Sequence, residues 1–82
     1  MEVKIWTVAT HDNNVELPSE VKTFGTKDEA YDELMLKLEI ATLHKWDTSH
    51  KENGGKFILI CSENNKIVRV HILESHIVKI PE

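Results

Sequence analysis

Five histidines and a single cysteine hold most of the reactive chemistry in this 82-residue sequence. Imidazole nitrogen and thiolate sulfur bind zinc, and paired they supply a nucleophile and its base. Spacing decides whether either use is open. His44 and His50 lie six positions apart across the end of a predicted helix, and His71 and His76 lie five apart across a predicted strand break; His11 is far from both pairs. Neither H-E-x-x-H nor C-x-x-C occurs, so three or four ligands would have to converge from unrelated segments. Cys61 closes the apolar run Phe57-Ile58-Leu59-Ile60-Cys61. A reactive thiol needs an electropositive, partly exposed setting, so Cys61 is expected to be a packing residue. No G-x-S-x-G elbow is present. Gly54-Gly55 runs into Lys56-Phe57 rather than the Lys-Ser/Thr and helix of a phosphate loop, and reads as a flexible entry to a strand. The sequence therefore predicts no catalytic, cofactor-binding or metal-ligating residues, no cofactor, and no enzyme.

Asp28, Glu29, Asp32 and Glu33 place four acids within six positions. Such a patch could imitate a phosphate backbone, but it also suits a helix start, where the dipole favours negative charge. The overall charge is −4, from ten basic and fourteen acidic residues. That balance disfavours sequence-independent nucleic-acid binding, which needs clustered Lys and Arg. The longest apolar run is far short of the roughly 20 residues that span a bilayer, and Met1-Glu2-Val3-Lys4-Ile5 has no signal-peptide pattern. One cysteine allows no disulfide within the chain and fits a reducing compartment. A cytoplasmic protein with no membrane contact is expected, as one domain over 1–82. A chain this short buries only about 60% of its unfolded surface, and with no disulfide and no metal motif to support it, self-association is the expected support.

The elements that position these residues follow from periodicity. Residues 2–10 alternate and read as a strand. His11-Asp12-Asn13-Asn14 reads as a turn, Val15 to Leu17 as a short returning strand ended by Pro18, and Val21 to Phe24 as a second extended piece. Thr26-Lys27-Asp28-Glu29 is a capping box, opening a helix expected over about 27–46. Asp47 to Gly55 reads as a polar loop. Lys56 to Ser62 and Ile67 to Leu73 form a hairpin about Asn64-Asn65, with Cys61, Leu59 and Phe57 predicted to face Val68, Val70 and Ile72 on the core side. His76 to Ile80 is expected to be a short last strand. The class is α+β: an antiparallel sheet of three to five strands with one long helix on one face.

On a helical wheel, Ala30, Tyr31, Leu34, Leu38 and Ala41 form the stripe for the sheet, with Met35 and Trp46 at its edge. Asp28, Asp32 and Glu39 lie opposite. Leu36, Ile40 and Leu43 make a second apolar row at i, i+4, i+7, away from the first. Either that row meets a partner, or the segments at 11–24 or 47–55 fold over it. A second candidate surface joins Trp6 to Ile58, Ile60, Ile67, Arg69 and His71, where aromatics beside Arg could meet a protein or stack bases.

Phe24-Gly25-Thr26-Lys27-Asp28-Glu29-Ala30 resembles strand-to-helix junctions common in small bacterial and phage-type domains. The resemblance covers seven residues and implies no activity. The functional expectation is a small non-enzymatic protein-interaction or regulatory module that pairs with a protein partner or with itself as a homodimer. Leu36, Ile40, Leu43, Trp6 and Arg69 are its interface residues. The alternative is a nucleic-acid-associated or anion-mimicking accessory protein.

Overall fold

The structure, a computed structural model, describes residues 1–12 and 17–81. Five strands and one helix follow one another as β1 (Glu2–Asp12), β2 (Glu20–Phe24), α1 (Lys27–Leu43), β3 (Asp47–Asn53), β4 (Lys56–Glu63) and β5 (Lys66–Lys79). They form a single antiparallel sheet in the order β2-β1-β5-β4-β3, with α1 on one face. The β1–β2 hairpin feeds α1, which carries the chain from one sheet edge to the other. β3 and β4 then lead back until β5 closes against β1 in the centre, along eleven residue pairs from Glu2↔Lys79 to Asp12↔Arg69.

The expected α+β class is the observed one. The expected turn over 11–14 and strand over 15–17 fall partly outside the described residues. Of those described, His11 and Asp12 continue β1, and Leu17 is exposed and lies in no strand. The two last strands expected from the sequence are one continuous β5.

Thr26 caps α1 as its sequence implies. Its hydroxyl oxygen accepts from the Glu29 amide at 3.2 Å and donates to the Glu29 carboxylate at 3.0 Å. The C-terminus comes three residues earlier than the wheel suggests. Lys45 adopts φ 60°, its amide donates to the Thr42 carbonyl, and the Trp46 amide donates to the Ala41 carbonyl. This is a Schellman stop with lysine where glycine is usual, so no Gly marked it in the sequence. A lysine at positive φ carries a steric cost that glycine avoids. Lys45→Gly is expected to raise stability by about 0.5–1 kcal/mol and the melting temperature by roughly 3–6 °C, read by calorimetry. An unchanged or lower midpoint would refute the strain.

The polar loop expected over 47–55 is instead strand β3 and a hairpin turn. Gly54 and Gly55 have φ of 60° and 82°, and Asn53 pairs with Lys56. Every residue of β3 is exposed, so its side chains carry no alternation to read. Its charged, polar character suits an edge that must not recruit other strands.

The core lies between α1 and the sheet: Val8, Ala30, Leu34, Ala41, Leu59, Cys61 and Leu73, flanked by Trp6, Phe24, Leu38, Trp46, Phe57 and Val68. Cys61 is fully buried, and burial pushes its thiol pKa up. That fits the packing role read from the sequence.

Candidate interaction surfaces

The Asn64-Asn65 hairpin starts in the expected register, with Glu63↔Lys66 and Ser62↔Ile67. A bulge then intervenes, and from Cys61↔Arg69 onward the pairing is displaced by one residue. A one-residue displacement exchanges the faces of a strand. The expected opposition of Phe57, Leu59 and Cys61 to Ile72, Val70 and Val68 is therefore corrected to Leu73, His71 and Arg69. Val68, the extra residue, still packs against the core.

The displacement also divides the mixed surface expected around Trp6. Trp6 lies on the helix side, paired with Phe24 and flanked by Lys4 and Lys27, whose Nζ atoms sit 4.9 and 5.9 Å from its ring. Arg69 and His71 lie on the helix side as well. Arg69 Nε donates to Asp12 Oδ1 at 2.8 Å, and the guanidinium lies 5.3 Å from the Trp46 ring. Trp46 Nε1 donates to Glu63 Oε2 at 3.2 Å, and its ring stacks on His44. Ile58, Ile60 and Ile67 fall on the opposite face.

His71, like Arg69, lies on the opposite face from the one expected. It is 1% exposed, and its Nδ1 lies 2.8 Å from the Thr10 hydroxyl in a hydrogen bond between two buried side chains. Burial above all, then Lys37 and Arg69, push its pKa down to about 4, so it is neutral near pH 7. Around it, Lys37 binds Glu20 at 2.9 Å and Glu33 at 3.5 Å, and Lys22 binds Glu33 at 2.9 Å. A hydrogen bond from Ser19, then Arg69, holds the Asp12 carboxyl low, and Lys37 does the same for Glu20. The cluster ties β1, β2, α1 and β5 together. Among the described residues, no three His, Cys, Asp or Glu side chains converge to hold a metal ion.

The helix row is exposed as a row. Leu36 is 53%, Ile40 38% and Leu43 81% exposed, and the segment 47–53 belongs to the far sheet edge rather than covering them. Leu36 and Leu43, with Met35, Leu38, Asp32 and Glu39, border an open, mostly apolar surface formed by α1 alone. Met35 and Leu38 also line a groove of about 530 Å³ between α1 and the β3–β4 hairpin, with Tyr31, His50 and Phe57 along it. There His50 stacks on Phe57, and Tyr31 meets the same ring edge-on. Of the five expected interface residues, Leu36, Ile40 and Leu43 stand together, while Trp6 and Arg69 sit in the layer between sheet and helix.

Among the described residues, no helix covers the other sheet face. Direct pairs share a face, so Val21, Ala9, Ile72 and Ile58 form one apolar row across four strands. Val70 and Ile60 stand in the next row, beside His11. The sequence signals this face in Ile58 and Ile60, whereas its hairpin register places Val70 and Ile72 in the core. No helix is long and apolar enough to cross a membrane among the described residues. Comparison with known protein families, curated proteins and solved structures found no match to the chain.

Proposed function

We propose that the protein is a non-enzymatic protein-interaction module that takes an amphipathic segment of a partner protein along the outer row of α1. The observation that carries this reading is the exposure of Leu36, Ile40 and Leu43 in one row on an open, mostly apolar face of α1. A small soluble-type fold gains nothing from holding three large aliphatics in water, whereas helix-in-groove recognition uses anchors at this spacing. Asp32 and Glu39 beside the row favour a partner with basic residues flanking its apolar anchors.

The test is recovery of partners on the tagged protein from its native host, with and without nuclease. Wild type is compared with a Leu36→Glu/Ile40→Glu variant. Both positions are exposed, so the fold should survive with less than about 0.5 kcal/mol per site lost. Removing two apolar anchors is expected to weaken the partner by at least about tenfold to a hundredfold. Equal recovery on both proteins would sink the reading. Loss of every partner on nuclease treatment would move the protein to the nucleic-acid-associated class.

A further inference from the structure

We infer that the helix-free face of the sheet is covered by the same face of a second copy of this chain, giving a two-sheet dimer with both helices outward. Charge, area and geometry argue for a second copy. By strand alternation, the Asp, Glu, Lys and Arg residues on this face are Asp47, Glu74, Lys51 and Lys56, two acids and two lysines, with His11 and His76 beside them, and Lys56 pairs with Glu74 at 3.4 Å. The chain carries −4 overall, so its excess of acid lies away from this face, where Asp28, Glu29, Asp32 and Glu39 are exposed on α1. Two acidic chains can therefore meet here without like-charge repulsion, while a strongly charged partner would find nothing to pair with.

Five strands at about 4.8 Å by the eight residues of β4 at about 3.3 Å give roughly 600 Å² in projection. Side-chain relief brings that close to the ~800 Å² per partner of a standard interface. The β1–β5 ribbon adds more. Backbone pairing of β4 with β5 ends at Phe57↔Leu73, and past it Val3, Ile5 and Val78 continue the apolar face along a molecule 51 Å long. A two-stranded ribbon is marginal alone and gains from packing. Thr7, Glu74 and His76 form a polar band between body and ribbon, with Thr7 Oγ1 and His76 Nε2 2.9 Å apart. Apolar rows with balanced charges around them match the anatomy of a self-paired sheet, and two such sheets stack about 10 Å apart with strands near −30°.

This inference does not rest on the helix-row reading, and one experiment separates them. Light scattering at about 100 μM should give about 19 kDa for the wild type, twice the 9.5 kDa chain. The Ile58→Lys/Val70→Lys variant should fall to the monomer mass with its circular dichroism retained, and Leu36→Glu/Ile40→Glu should stay dimeric. Should the lysine variant unfold, methyl signals of the wild type decide. Those of Ile58, Ile60 and Ile72 should be shielded from a soluble paramagnetic agent, and those of Leu36 and Leu43 should not. A monomeric wild type, a mass drop only in the helix variant, or Ile72 methyls broadened as strongly as those of Leu43 would each overturn the dimer face.

Discussion

Between pH 6.5 and pH 4 the protein is expected to lose about 3 kcal/mol of folding stability through His71 alone. In the folded chain His71 stays neutral down to about pH 4, because it is buried and faces Lys37 and Arg69. In the unfolded chain it takes up a proton near pH 6.5. Across that window the unfolded state binds one proton more than the native state, so stability rises with pH and falls on acidification, at about 1.4 kcal/mol per pH unit. Asp12 and Glu20 also face the ring and favour its charged form, but too weakly to reverse the shift. Their own carboxyls are held low, so their contribution disappears only at more acid pH, as pH falls through their lowered folded values. Urea denaturation at half-unit pH steps would measure the slope. His71→Gln, which can still bond to Thr10 but does not titrate, should flatten it. Taking the slope as the readout cancels any fixed cost of the substitution. An unchanged slope in the Gln variant would show that another group carries the acid sensitivity.

Leu34→Ala is expected to cost about 3 kcal/mol and lower the melting temperature by roughly 12–24 °C. Leu34 is among the largest of the fully buried side chains between helix and sheet. Ala30 and Ala41, its buried neighbours on the same stripe, are too small to collapse into the space it would leave. A domain of this size holds only about 4–12 kcal/mol in total, so the change should bring it near the folding threshold. A loss under about 1 kcal/mol in chemical denaturation would mean that α1 repacks freely on the sheet. Tyr31 gives the contrast. It touches Phe57 edge-on while 41% exposed, so the smaller cost of truncating it should show that depth, not apolarity, sets the effect.

The two faces of α1 were legible because a regular helix maps position to direction without reference to anything else. Ala30, Leu34 and Ala41 are buried, and Leu36, Ile40 and Leu43 stand out, as the 100° wheel requires. Trp6 and Arg69 could not be placed the same way. Their direction depends on strand register, and register depends on partners far away in sequence.

The sequence by itself determined the class, the start of α1 at Thr26, both apolar rows of the helix and the turn at Asn64-Asn65. Each is a local property of backbone preference or helical period. Tertiary structure alone decided which side of β5 faces the core. β5 carries apolar residues on both faces, Val70 and Ile72 on one and Leu73 on the other, so alternation could not choose between them. The bulge next to Cys61 made that choice, placing Leu73 and His71 beneath α1 and leaving Val70 and Ile72 on the open face. It also decided that the wholly exposed segment 47–53 is a strand. Apart from the stacking of His50 on Phe57, β3 is held by backbone hydrogen bonding to β4, which is indifferent to side-chain type and so leaves little trace in the residues themselves.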